Sequence, residues 1–267
     1  VSEYPLPTAM LRDLTAACAE LLILEEGAPF VESQLVGPLG NDKVRGRLSG
    51  ALPRTGELSP AVVARAVGRE VSAVYNTSGL LRPRPPRLCA GCPHIASYEA
   101  LLAALGDTPT GHVLSDIGCY TLGALPPFEA ISSCVDMGAS VSMAKGAADA
   151  GLRPAVAVIG DSTFTHSGIT PLLDAVWENT PITVVILNND TTAMTGGQDS
   201  VGQGRLEQIV LGLGVDPEHV KQMDPLPARH DENVELLRRE IFDHDGVSVV
   251  IANRECIQTR RRGARKQ

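Results

Sequence analysis

The sequence predicts an α/β fold: an open, mostly parallel sheet with helices on both faces, preceded by a smaller α/β segment. Two unbroken apolar runs, Val156–Ile159 and Thr183–Leu187, have the make-up of strands buried on both faces. Between them runs a helical pattern with Ile169, Leu172, Leu173 and Val176 on one side. Each run stops at a polar turn, Gly160-Asp161-Ser162 after the first and Asn188-Asn189-Asp190 after the second. The 27 residues between Asp161 and Asn189 are what a strand–helix–strand unit needs. Both side chains then fall at the carboxyl edge of the sheet, where open α/β folds bind ligands.

From the N-terminus, Pro7–Leu24 begins helically, with Leu11, Leu14, Ala17, Cys18 and Leu21 on one side, and ends strand-like at Leu21–Leu24. Glu25-Glu26-Gly27 closes that strand, Phe30–Leu35 reads as a short helix, and Asn41–Leu48 as a turn with an edge strand. Ser59-Pro60 opens a helix, cap first and proline at its first position, running to about Val74. No complete βαβ unit is expected in this third, so residues 1–80 read as the remnant of a domain whose front half lies elsewhere. Leu81–Leu88, LRPRPPRL, is a stiff linker and the main boundary, or else a polyproline ligand. The main domain covers residues 89–256. Its later part should hold a helix over Gly204–Gly214, a short strand near His219-Val220, an amphipathic helix over Asn233–Phe242 with Val234, Leu237 and Ile241 inward, and a last strand at Val247–Ile251. Residues 257–267 form a basic tail, solvated or used for docking, with five basic side chains in 260–267.

A net charge of −8 argues against a nucleic-acid partner, and no apolar run approaches the ~18 residues of a membrane span. Val1–Pro7 is polar and proline-rich, unlike a signal peptide, and a start at Val1 points to processing or to a piece of something longer. A cytoplasmic location is expected. Six cysteines without a secretory signal then argue for metal chemistry over a disulfide scaffold.

A carboxylate at Asp161, an amide oxygen at Asn189 and a backbone carbonyl are hard ligands that suit Mg²⁺, which takes its other ligands from water and phosphate. The helix after Gly160 points its N-terminus at the same spot and favours an anion. A Mg²⁺-bridged diphosphate is the expected ligand. The second centre is Cys89-Ala90-Gly91-Cys92-Pro93-His94, whose C-x-x-C could be a redox pair, half a zinc site or half a cluster site. Its thiols, at a helix start, should have lowered pKa values. Cys119 and the distant Cys256 complete a set of four able to hold a [4Fe–4S] cluster or structural zinc. Cys18 and Cys134 read as plain buried thiols.

Gly160-Asp161-Ser162 with Asn188-Asn189-Asp190 downstream resembles the thiamine diphosphate motif, Gly-Asp-Gly followed by Asn-Asn, with Ser162 replacing the second glycine. The ordered series CAGCPH at 89–94, DIGCYTLG at 116–123, MGAS at 137–140, GDSTF at 160–164 and TTAMTGGQ at 191–198 is similar to the thiamine-binding part of the indolepyruvate ferredoxin oxidoreductases, and more broadly of the 2-oxoacid:ferredoxin oxidoreductases. Glu25-Glu26-Gly27, Pro29-Phe30-Val31-Glu32 and Gly56-Glu57-Leu58 resemble the stretch that precedes it, so the likeness runs from about Leu21 to Cys256.

The resemblance implies thiamine diphosphate, Mg²⁺ and a [4Fe–4S] cluster as cofactors. Mg²⁺ would be held by the side chains of Asp161 and Asn189 and the carbonyl of Thr191, and the cluster by Cys89, Cys92, Cys119 and Cys256. Gly160, Ser162 and Thr163 would receive the diphosphate. Cys119, Tyr120, Thr121, Leu122 and the Met137–Ser140 segment would line the cofactor's other side, with Gly138 and Gly146 letting the following helix sit close. Met194 and Thr195 would face the thiazolium or substrate. His94 would reach the phosphates or cofactor edge, or merely cap its helix; His166 would reach a substrate carboxylate, or be structural.

The implied reaction is oxidative decarboxylation of a 2-oxoacid, best an aryl-pyruvate such as indolepyruvate, to acyl-coenzyme A and CO₂. Ferredoxin or a ferredoxin-like subunit would take the electrons, and another chain, or a removed part of this one, would supply the pyrimidine-binding domain and its glutamate. Two rivals stand beside it: a non-redox thiamine-dependent decarboxylase with a zinc or empty cysteine site, and a non-catalytic thiamine-domain assembly module.

Overall fold

The apolar runs become the centre of one six-stranded sheet in the computed structural model, which describes residues 5–38, 40–71, 79, 81, 82 and 84–264. The chain forms two compact units, Val1–Pro83 and Arg84–Gln267.

In the first unit, helix α1 (Thr8–Ala17) leads to strand β1 (Leu21–Leu22), helix α2 (Phe30–Val36), strand β2 (Val44–Arg45) and helix α3 (Pro60–Ala66). β1 and β2 pair in parallel, Leu21 opposite Val44. A small βαβ unit is therefore present where none was expected: strands of two residues are too short to show a period. The acidic motif residues hold its loops. The Glu25 carboxylate accepts from the Val31 and Glu32 amides at the start of α2, at 2.8 and 3.0 Å. Buried Glu32 accepts from Leu48 and Ser49, and Glu26 from Leu58. Buried Arg47 donates to the carbonyls of Glu25, Pro53 and Gly56. In α1 only Leu11 is buried, and Leu14 is exposed. Ser59 Oγ caps α3 as expected, but the helix stops at Ala66, with Gly68 left-handed at φ 71°. The expected end near Val74 lies outside the described residues.

The second unit opens with helix α4 (Pro93–Leu105), followed by strands β3 (Val113–Ser115) and β4 (Ser133–Cys134), helix α5 (Ala139–Asp149) and strand β5 (Val156–Gly160). A helical stretch comes next: α6 (Asp161–Thr163), a π turn over Phe164–Gly168, and α7 (Ile169–Glu178). Then come β6 (Thr183–Asn188), the two-residue strands β7 (Thr191–Thr192) and β8 (Gln198–Asp199), and helix α8 (Leu206–Gly212). Strand β9 (Val220–Met223), helix α9 (His230–Arg238), strand β10 (Ser248–Asn253) and helix α10 (Ile257–Ala264) complete it. The strand order is β4-β3-β5-β6-β10-β9, with every pairing parallel. The expected α/β class holds.

The central strands are buried on both faces, and their side chains divide by the two-residue period. Val185 and Leu187 of β6 join a core with Tyr98 and Leu101 of α4 and Leu237 of α9. Val184 and Ile186 join the opposite core, with Val141 of α5, Leu172 and Ala175 of α7 and Val210 of α8. Leu173, expected inward, is 49% exposed beside Trp177, because the buried face of α7 follows Leu172 and Ala175. Cys134 is exposed and Cys18 half-buried, against the expectation of buried thiols: Cys134 lies on the two-residue edge strand β4, and Cys18 at the C-terminal end of α1. The chain passes from β3 outward to β4 and then crosses to β5 on the other side of β3. That reversal opens a crevice at the carboxyl ends of β3 and β5. Among the described residues no helix is long and apolar enough to cross a membrane.

Candidate active site

The crevice is a cleft of about 550 Å³, its open mouth included. Gly160, Asp161, Ser162 and Thr163 reach it from the end of β5, and Asn189, Thr191, Met194 and Thr195 from the end of β6. Gly118, Cys119 and Tyr120 enter from the loop after β3, Met137 from the loop before α5, and His94 from α4. The structure thus brings together residues drawn from five segments of the chain.

Asp161 is the central charge. Its Oδ1 accepts from the Ser162 amide at 2.8 Å, while its Oδ2 is buried without a hydrogen-bond partner. Burial pushes its pKa up to about 6. Asn189 Oδ1 accepts from the Thr191 amide at 3.2 Å, and its Nδ2 lies 3.3 Å from His94 Nε2. Burial lowers the His94 pKa to about 4, so the ring is neutral at pH 7, and with its proton on Nδ1 it accepts from the amide. Asp190, between the two, is left-handed at φ 59°, an uncommon state for a residue other than glycine. The Asn189 carbonyl accepts from the Cys256 amide at 3.2 Å, and the Asn188 carbonyl from Arg254 at 3.0 Å.

Gly160 is needed for room: a Cβ there would lie 2.5 Å from the Tyr120 ring. That ring is fixed by Asp116, a residue for which sequence analysis assigns no role. Asp116 is fully buried; one oxygen accepts from the Tyr120 hydroxyl, the other from the Gly138 and Ser140 amides and Ser140 Oγ, at 3.1, 3.2 and 2.6 Å. Thr192 was also missed; its Oγ1 lies 2.8 Å from Ser162 Oγ at the cleft wall.

Several expected lining residues stand back from the cleft. Thr121 Oγ1 instead ties the Gly118 amide to the Asp116 carbonyl, and Leu122 packs into the core. Gly138 caps α5 at φ 93°, where a Cβ would meet Ser167 Oγ at 2.5 Å and its backbone carbon at 2.9 Å. Gly146 has nothing within 4 Å of such a Cβ, so no close approach depends on it. His166 lies on the π turn, which carries it to the exposed side, with Nδ1 2.7 Å from Ser167 Oγ. Gly138→Ala should cost about 2–4 kcal/mol, from left-handed strain plus overpacking. Urea unfolding measures it; an unchanged midpoint would contradict the contact.

The four cysteines converge beside the cleft. Cys92 caps α4, Cys119 begins a 3₁₀ turn, and Cys256 immediately precedes α10. Gln258 Nε2 of α10 lies 3.3 Å from Cys89 Sγ. The Cys92 pKa is pushed up to about 11, chiefly by burial, with contributions from Cys89, Cys119 and Cys256. The expected lowering by the helix start is overturned, because the cost of burying a thiolate outweighs it. Burial likewise raises Cys119, helped by Cys256 and Cys89. Among the described residues, no three His, Cys, Asp or Glu side chains are arranged to hold a single metal ion.

Residues 116–252, more than half of the chain, match the family described as thiamine pyrophosphate enzyme, C-terminal TPP binding domain. The chain belongs to this family. The chain is 37% identical, over 96% of its length, to the indolepyruvate oxidoreductase subunit IorA of Archaeoglobus fulgidus. It is 35% identical, over 95% of the chain, to the subunit of the same name from Methanothermobacter marburgensis. The chain spans 44% of the length of each relative. A solved structure, the 2-oxoglutarate:ferredoxin oxidoreductase from Magnetococcus marinus with 2-oxoglutarate, coenzyme A and succinyl-CoA bound, matches with a TM-score of 0.52 and 21% identity over 66% of each chain, a likeness of fold.

For a thiamine pyrophosphate domain the cleft fits its cofactor on its own chemistry. The partnerless Asp161 oxygen and the Asn189 amide offer hard oxygen ligands, and the missing side chain of Gly160 leaves room at the helix start. His94 also gives this domain a pH dependence. Between pH 6.5 and about 4 the unfolded chain binds a proton that folded His94 does not. Its contribution is complete above pH 6.5 and falls by about 1.4 kcal/mol per pH unit on acidification. Urea titrations from pH 7 to 5 should show wild type losing more stability than His94→Asn; parallel slopes would refute the assignment.

Proposed function

We propose that this chain is the cofactor-binding part of a 2-oxoacid:ferredoxin-type oxidoreductase subunit. The reaction is oxidative decarboxylation of a 2-oxoacid, an aryl-pyruvate such as indolepyruvate by preference, with coenzyme A taking the acyl group and two electrons leaving one at a time through a [4Fe–4S] cluster. The observation that carries it is the convergence of four thiols beside a thiamine cleft. The names of the curated relatives support the substrate class.

Asp161, Asn189 and the Thr191 carbonyl would hold Mg²⁺, with Ser162 and Thr163 at the diphosphate. When bound, thiamine diphosphate supplies a nucleophilic carbon and an electron sink for the decarboxylation. The chain's own residues do the holding. Neutral His94 orients the Asn189 amide, Asp116 fixes Tyr120 and the start of α5, and Met194 and Thr195 shape the mouth where a substrate enters. Cys89, Cys92, Cys119 and Cys256 would ligate the cluster. Their mutual electrostatic reach supports one shared centre for the four thiols. A partner chain would supply the pyrimidine-binding domain and its glutamate, and a ferredoxin or ferredoxin-like subunit would accept the electrons.

Anaerobic purification followed by iron and acid-labile sulfide analysis tests this reading. About four of each per chain, beyond any partner's clusters, is the expected result. Zinc, or a thiamine-loaded protein without iron, would overturn electron transfer through this chain.

A further inference from the structure

Among the described residues, two buried side-chain atoms have no hydrogen-bond partner: Asp161 Oδ2 and Ser200 Oγ. They are neighbours. The Ser200 hydroxyl acts on the Asp161 carboxylate, yet lies outside hydrogen-bond geometry. Ser200 is 5% exposed, as buried as the carboxylate at 4%. Each unsatisfied group carries a desolvation cost of about 1–3 kcal/mol, and here one is a donor and the other an acceptor, so a small turn of the hydroxyl would let each satisfy the other.

The local chain path explains how Ser200 arrives there. β7 and β8 pair in antiparallel fashion, Thr191 opposite Asp199, and Thr191 Oγ1 donates to the Gln198 carbonyl at 3.0 Å. This hairpin leaves the Asn189 turn and returns within ten residues, delivering Ser200 to the end of β5. The Ser200 carbonyl accepts from the Gln203 amide at 3.2 Å, so its backbone is anchored while its hydroxyl is free to turn.

We propose that Ser200 is a positioning residue for a divalent cation held by Asp161: its hydroxyl donates to Asp161 Oδ2 when that oxygen ligates the ion. A carboxylate oxygen has lone pairs for both, and the donated hydrogen bond fixes the direction of the one that faces the metal. Ser162 N fixes the other oxygen, so the carboxylate is held at both ends. This inference rests on the proposed Mg²⁺ site and adds to it a residue outside the thiamine motif.

The test is binding of Mn²⁺, a spectroscopic substitute for Mg²⁺, to the full chain with thiamine diphosphate present, read as loss of the free Mn²⁺ signal in electron paramagnetic resonance. Ser200→Ala should weaken Mn²⁺ binding by about 10- to 100-fold, the range for partners of metal ligands. Ser200→Thr should restore it, and the unfolding midpoint without metal should not follow the affinity. Ser200→Cys, similar in size but a poor donor, gives a second variant if the alanine protein does not fold, with the same loss expected. Wild-type affinity in the alanine or cysteine protein, alongside a loss in Asp161→Ala, would overturn the role of Ser200 and leave the cation site standing. Wild-type affinity in Asp161→Ala, or no Mn²⁺ binding by wild type, would overturn the cation site and this inference with it.

Discussion

Asp161→Ala is expected to weaken thiamine diphosphate binding at saturating Mg²⁺ by about 100-fold or more, exceeding the effect of losing a ligand's supporting partner. The reason is charge and place together. Asp161 is the carboxylate of the cleft, lies at the end of β5, and is buried with one oxygen unpartnered. In the proposed site Mg²⁺ would neutralise that carboxylate and carry the diphosphate, so removing the carboxylate would take away both a ligand and the reason for the ion to stay. Calorimetric titration measures the loss. Asp161→Asn separates the contributions: it keeps the shape and one ligand oxygen but not the charge, and should fall between wild type and alanine. Undiminished binding in Asp161→Ala would place the diphosphate elsewhere.

The second large effect is at Cys256. Cys256→Ser should reduce iron to near zero and slow electron delivery to an external acceptor by more than about 100-fold, while thiamine diphosphate binding stays near that of wild type. A serine hydroxyl replaces the thiolate poorly at iron, and Cys256 lies outside the cleft lining, so the two readouts should part. Iron analysis and calorimetry on the same preparation check it. Retained iron would remove Cys256 from the ligand set; joint loss of iron and cofactor would mean that the substitution disturbs the fold around Asn189.

The strands and their ends were legible because both depend on local pattern. An apolar run of five or six residues followed by a polar turn fixes a buried strand and its carboxyl end, and chain length between two such runs fixes the crossover. Thr191 comes from the family resemblance, whereas the places of Asp161 and Asn189 follow from these local patterns alone. Asp116 did not, because its partners Gly138 and Ser140 are 22 and 24 residues away and no periodicity links them. Ser200 was hidden for the same reason: only the β7–β8 hairpin, with strands of two residues each, returns it to Asp161. The exposed setting of His166 was not legible either, because a π turn over Phe164–Gly168 shifts the helical phase there and leaves no mark in the sequence. The thiol pKa was misjudged because sequence shows the helix start but not how deeply Cys92 is buried.

The hydrogen bond from the Cys256 amide to the Asn189 carbonyl has a mechanical consequence. It rivets the segment that carries the last thiol to the turn that carries Asn189, and the Arg254–Asn188 bond sets a second rivet beside it. The two turns extend strands that are already paired in register, Asn253 beside Asn188. In the proposed enzyme, breathing of the loops around the cleft would carry these two turns together, and the gap an electron would tunnel across, from cofactor to cluster, would stay nearly constant with them.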